Sequence, residues 1–128
     1  MSRKEDKARR TDVNACLGDI RDSAAAIEEY VDGITEARFR AEPMRQDAVV
    51  RRIEIIGEAA DRIMKAEPSH TVSLAGVPLT EAKLMRNKVI HEYEGVDVGL
   101  VWDTAKNDVP DLRKTVIDAI DKRQTESR

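Results

Sequence analysis

A chain of 128 residues has the length of one compact domain, and 41% hydrophobic with 37% charged residues describes a helix-rich, highly charged one. Aromatic residues make up only 3%, which argues against a β-sandwich and against nucleic-acid platforms that stack bases on rings. A net charge of -3 with a pI near 5.5 argues against a basic face that coats a long duplex, so any nucleic-acid contact is expected to be small and local, as in a catalytic cleft.

Residues 1–10 set Arg3, Lys4, Lys7, Arg9 and Arg10 against Glu5 and Asp6 and read as a flexible, charged N-terminal tail. A single helical domain is expected over 11–121, followed by a polar tail over 122–128. Thr11 or Asp12 suits the cap of a first helix. Val13, Leu17, Ile20, Ala24, Ile27, Val31 and Ile34 then alternate in steps of four and three, an apolar seam that carries this helix to about Ile34. The sole cysteine, Cys16, rules out an intrachain disulfide and reads as a small core residue in a reducing, cytoplasmic setting.

Thr35 to Glu42 reads as a connection, and Pro43 suits the first turn of a second helix. Its stripe is Val49, Ile53, Ile56, Ala60 and Ile63, widened by Ile55 and Ala59. Pro68, Ser69 and His70 end it, with His70 expected in solvent, and Gly76 and Pro78 mark a loop. Thr80 with Glu81 opens a third helix carrying Leu84, Met85 and Val89, which Glu94-Gly95 stops. Asp97 caps a fourth helix with Val101, Ala105, Val109, Leu112, Val116 and Ile120 inward and Trp102 anchoring it. Pro110 kinks or splits this helix, and Asn107 or Asp108 can cap the second piece. The fold class is therefore all-α: an antiparallel four-helix-type bundle with its fourth helix kinked near Pro110, no membrane span, and no period-two run long enough to propose a sheet.

The chemistry-bearing stretch is Arg86-Asn87-Lys88-Val89-Ile90-His91-Glu92-Tyr93. Arginine presents a fixed cationic fork to phosphate, and histidine moves a proton near neutral pH. If the helix runs through the octet, Arg86 and Tyr93 share one stripe and Asn87 and His91 another, while Arg86 and His91 lie about 140° apart. Either the helix ends before His91, or a second copy of the chain supplies the other half of the site across a two-fold axis. RNA cleavage without a metal needs a base for the 2′-hydroxyl, an acid for the leaving oxygen and cationic donors for the phosphate. One chain offers one suitable histidine, so a dimer would complete the set. Two distant histidines make no zinc site, and no phosphate loop or serine elbow is present. Glu54, Glu58 and Asp61 lack the Glu-x-x-His of di-iron bundles. No metal and no cofactor is expected.

Three segments in order resemble the HepT-like family of the HEPN superfamily, over roughly residues 12–120. Gln46 to Ala60 resembles the family's second helix. Met85 to Tyr93 resembles its signature of arginine, polar residue, three residues, histidine, any residue and tyrosine. Gly95-Val96-Asp97 with Val101-Trp102 and Val109-Pro110-Asp111-Leu112 resembles its closing helix. The resemblance implies an all-α homodimer with paired motifs at the interface cleft and a metal-independent endoribonuclease. It further implies the toxin of a type VII-like toxin–antitoxin pair, neutralised by a minimal nucleotidyltransferase antitoxin. Carried over, Arg86 binds and stabilises the scissile phosphate, His91 does acid–base work, Asn87 orients His91 or the phosphate, and Tyr93 is the residue the antitoxin modifies with AMP. Glu58 matches a recurring family acid, either lining the site or forming an interhelical ion pair. The chain has Val77-Pro78-Leu79 where many members have proline then tryptophan, a departure that bears on substrate selection. The alternative is a catalytically silent helical dimer that serves as the partner-binding module of a nucleotidyltransferase.

Overall fold

The computed structural model describes residues 3–66, 74, 76–91 and 93–126, with side chains from Val13 onward. Helix α1 spans Arg3–Val31, α2 Glu36–Arg40, α3 Pro43–Ala66 and α4 Leu79–Val89. Two short strands, β1 (Ile90–His91) and β2 (Gly95–Val96), follow, and then α5 (Val98–Asp103), a π-helical turn (Thr104–Asp108) and α6 (Val109–Glu126). Helix α1 packs against both α3 and α6, and α3 packs against α4, which makes the expected all-α bundle.

The core is the apolar seam read from the sequence. Val13, Leu17, Ile20, Ala24, Ile27 and Val31 of α1 are all buried, as are Val49, Ile53, Ile56, Ala60 and Ile63 of α3. Val101 of α5, Ala105 of the π-helical turn and Val109, Leu112 and Val116 of α6 are buried, and Cys16 is a buried thiol outside any disulfide. Trp102 is half-buried and packs against this core.

Several boundaries differ from expectation. Helix α1 starts at Arg3, ahead of the predicted cap at Thr11 or Asp12, because the lysines, arginines and alanine before it are good helix formers that let the helix propagate. Helix α6 runs on to Glu126, and in the stretch read as a polar tail Arg123 is buried, its Nε donating to Asn14 Oδ1 at 2.6 Å. Asn107 and Asp108 cap nothing: they lie within the π-helical turn, whose Val109 N–H reaches back to Thr104 O. One wide turn there lets the chain continue into α6 with Pro110, which has no N–H to offer, at its second position. On α4 the inward residues are Ala82, Met85 and Val89, while Leu84, expected inward, is 48% exposed; the helix turns its narrow face to α3. His70 lies outside the described residues.

The stretch read as a plain connection holds α2. Thr35 Oγ1 caps it by accepting from Arg38 N at 3.1 Å, and Gln46 Nε2 donates to its last carbonyls, Phe39 O at 2.8 Å and Arg40 O at 3.1 Å. Phe39 is fully buried, with its ring tilted on Trp102 at a centroid distance of 5.4 Å. Beside it, hydrogen bonds from Arg38 and Arg45 hold the Glu42 carboxyl below the usual carboxylate range.

Candidate functional site

Helix α4 stops at Val89, four residues before the end of the motif octet. Val89 and Ile90 are a β-branched pair, and such residues favour extended backbone where both can pack inward. Val89 is fully buried, and Ile90, at φ -113 and ψ 120, packs against the core while its N–H still reaches Arg86 O. Ile90 pairs with Val96 and His91 with Gly95 in an antiparallel hairpin. Gly95 takes φ +82 at the return of this tight turn, a left-handed conformation that suits glycine.

The hairpin changes three expectations. The helix does not run through the octet to Glu94-Gly95, so Tyr93 does not share a helical stripe with Arg86, nor His91 with Asn87. The helix ends before His91, and the histidine leaves it. Tyr93 stands on the turn, 93% exposed, without a packing role among the described residues.

Arg86 lies in the last turn of α4 and is half exposed; its Nε faces Glu54 Oε2 of α3 at 3.8 Å. His91 is exposed, its Nε2 facing Asp97 Oδ2 at 4.0 Å. No hydrogen bond or ion pair joins Arg86 to His91 among the described residues. Asn87 is exposed on α4. Glu58 is exposed and faces Arg51 of its own helix at 3.7 Å, so the interhelical pairing considered for it falls instead to Glu54. Two turns beyond Glu54 the pattern repeats: Asp61 contacts Lys65 at 2.8 Å and Lys83 of α4 at 3.1 Å, and these two ammonium groups hold its carboxyl below the usual range. Among the described residues, no group of three or more histidine, cysteine, aspartate or glutamate side chains is gathered as a metal site.

Two residues at the site carry more than sequence reasoning assigned them. Asp97, read only as a cap, does cap α5 by accepting from Leu100 N at 3.1 Å. Its own N–H also donates to Val89 O at 2.8 Å, and its second oxygen faces His91. One aspartate thus ties the end of α4 to the start of α5 and stands beside the histidine. Its helix-cap position was legible; its place opposite His91 depends on the hairpin. Glu54 shares the i, i+4, i+7 acidic row with Glu58 and Asp61, and only the packing of α4 distinguishes it.

Gly57 explains how α4 comes so close. A Cβ there would lie 3.2 Å from Lys83 O and 3.6 Å from Ala82 O, backbone that cannot swing aside. Alanine in place of glycine gains about 1 kcal/mol of helix propensity, but overpacking against backbone costs about 1–3 kcal/mol. Gly57→Ala is therefore expected to be net destabilising by roughly 1 kcal/mol, read as a lower urea midpoint; a raised midpoint would mean that α4 yields freely.

Comparison with known proteins identifies the chain. The family model described as "Ribonuclease HepT-like" matches residues 20–119. The chain belongs to the HepT-like ribonuclease family. It is 39% identical over 111 residues to the "Gamma-glutamylcyclotransferase and putative RNase" of Methanocaldococcus jannaschii, covering 84% of this chain and 47% of that one. The chain thus spans about half of that two-part relative. It is 40% identical over 98 residues to the "Probable ribonuclease HepT" of Thermococcus cleftensis, covering 76% and 86% of the two chains. It is 38% identical over 105 residues to a "Putative RNase" of M. jannaschii, covering 82% and 94%. No solved structure matches. Among the described residues of this HepT-like chain, no helix is long and apolar enough to cross a membrane.

Proposed function

We propose that this HepT-like protein is a metal-independent endoribonuclease whose site is Arg86 and His91, with Asn87 in support, and that it acts as the toxin of a toxin–antitoxin pair. The observation that carries the reading is the end of α4 at Val89, which puts a half-exposed arginine on the helix and an exposed histidine on the strand that follows it. In the proposed reaction the 2′-hydroxyl oxygen attacks the adjacent phosphorus. The O2′–P bond forms, the P–O5′ bond breaks, and the proton of the 2′-hydroxyl passes to a base while an acid protonates the leaving oxygen. Arg86 stabilises the charge on the phosphoryl oxygens, and His91 supplies one of the two proton transfers. A second copy of His91, brought by a homodimer, supplies the other.

Tyr93 is the proposed regulatory residue. A tyrosine packed into the core could not enter another enzyme's active site; this one is 93% exposed on a hairpin turn next to the strand that bears His91. A nucleotidyltransferase antitoxin transferring AMP there would form a phosphodiester to the phenolic oxygen, with pyrophosphate leaving ATP. The added negative charge and bulk would stand at the mouth of the site.

Two measurements test this reading. Purified protein should cleave a single-stranded RNA in the presence of EDTA; cleavage that EDTA abolishes overturns metal independence. After co-expression with a minimal nucleotidyltransferase, mass spectrometry should find one AMP adduct on the peptide holding Tyr93 and none in Tyr93→Phe; an unmodified Tyr93 beside an active partner rejects the regulatory part. The alternative, a silent partner-binding module, draws on the separate pairing of Arg86 with Glu54 and His91 with Asp97. It predicts that Arg86→Ala and His91→Ala leave the cellular phenotype unchanged.

A further inference from the structure

We infer that Glu54 is a positioning residue for Arg86, holding one edge of its guanidinium so that the other is free to take the scissile phosphate; the inference rests on the ribonuclease reading above. The nitrogen of Arg86 nearest to Glu54 is Nε, at 3.8 Å, and not the terminal Nη pair. A guanidinium presents its donors in a rigid fork, so a carboxylate on the Nε side leaves the terminal edge for an incoming anion. No ion pair among the described residues engages that terminal edge. At 3.8 Å the contact is an attraction between charges and not a hydrogen bond, so what Glu54 contributes is charge at a fixed place.

The place is fixed by the surrounding packing. Glu54 stands on α3 between Ile53, which is fully buried, and Ile55, which is half-buried. Its side chain is itself only 31% exposed. One turn further along, Gly57 brings the α4 backbone onto α3, and two turns along, Asp61 holds Lys83 at 3.1 Å. Arg86 follows Lys83 by three residues on the same helix, so the Asp61–Lys83 and Glu54–Arg86 pairs form successive rungs between α3 and α4. Glu58, between them on α3, faces Arg51 and not α4. A half-exposed arginine without such a partner would sample many rotamers, and each bound phosphate would have to order it first.

The inference separates orientation from binding. Glu54 is negative and sits near the phosphate path, so removing its charge should leave substrate binding equal or tighter while the bound phosphate is held less well for reaction. With a single-stranded RNA oligonucleotide as probe, Glu54→Gln, which keeps the volume and loses the charge, should lower kcat about tenfold to a hundredfold with KM unchanged or lower. Glu54→Asp should recover part of the loss. On an Arg86→Lys background, which has no Nε edge to hold, Glu54→Gln should add little. An unchanged kcat in Glu54→Gln overturns the inference, as does the same fractional loss on the Arg86→Lys background.

A second readout is independent of turnover. The Arg86 Nε–H resonance in nitrogen-15 NMR should shift in Glu54→Gln. A 2′-O-methyl RNA oligonucleotide, which lacks the attacking hydroxyl, should perturb the Arg86 Nη resonances of the wild-type protein more than Nε. If the protein cleaves no RNA, the ribonuclease reading fails by itself, and the NMR arm still decides the placement of Arg86. An Arg86 Nε resonance indifferent to Glu54→Gln overturns the placement whatever the activity.

Discussion

His91→Ala is expected to lower RNA cleavage by a factor on the order of 10²–10⁴ and to leave the fold intact. The size follows from the proposed chemistry. A positioned proton donor or acceptor contributes that range, and the described residues of one chain offer no second histidine to take its place. The fold is spared because His91 is exposed on a two-residue strand and its one ion-pair partner among the described residues, Asp97, is 4.0 Å away. Exposed substitutions of this kind change stability by within about 0.5 kcal/mol. The hairpin itself is held by other atoms: Ile90 against the core, the Ile90–Val96 pairing, and Asp97 N–H on Val89 O. The check is the rate on a single-stranded RNA together with a urea melt of the same preparation. A variant that melts like the wild type and cleaves like it rejects His91 as the acid–base group; a variant that is slow because it is unfolded would instead show in the melt. Asp97 is a poorer choice for this experiment, since losing it also uncaps α5 at a cost of about 1 kcal/mol.

Phe39→Ala is expected to carry the largest stability loss. Phe39 is fully buried and stacks in tilted fashion on Trp102, 5.4 Å between centroids. Truncating a buried phenylalanine to alanine costs about 3–5 kcal/mol, because the ring's transfer energy is lost and a cavity remains. The whole domain is expected to be stable by only about 5–15 kcal/mol, so this one side chain matters to whether α2 stays docked at all. Phe39 also has little redundancy: it is the one buried residue of α2, and without it Trp102 loses its aromatic neighbour. The thermal midpoint should fall by about 10 °C or more. Met44→Ala is the control, since Met44 is hydrophobic but stands out in solvent at the start of α3. Equal midpoints for the two variants would show that α2 contributes no cohesion to the bundle.

Phe39 also marks where sequence reading stopped. Long helices announce themselves by repetition: the seam from Val13 to Val31 has six buried members at steps of four and three, and its partner stripe on α3 is as regular. A helix as short as α2 has room for one inward residue and so no period to detect. The same holds for the hairpin. Ile90-His91 and Gly95-Val96 are two residues each, too short for an alternation to register, and in the sequence Ile90-His91 continues the helical pattern of Met85 and Val89, whose stop signal comes only at Glu94-Gly95.

The pattern of apolar residues by itself determined the all-α class and most of the core, because burial of a helix face depends on periodicity, and periodicity is local. Three segments in order, Gln46 to Ala60, Met85 to Tyr93 and Gly95 to Leu112, likewise pointed to the HepT-like family, since a family signature is a string of residues. What those residues face was decided only in three dimensions. The Asp97 side chain comes to face His91 because the chain folds back on itself after His91, and Glu54, one of three acids on one helix face, is distinguished because Gly57 lets α4 come close enough for Arg86 to reach it. Ion pairing depends on distance through space, and the separations of a few ångströms that set these partners arise from contacts between segments far apart in the chain.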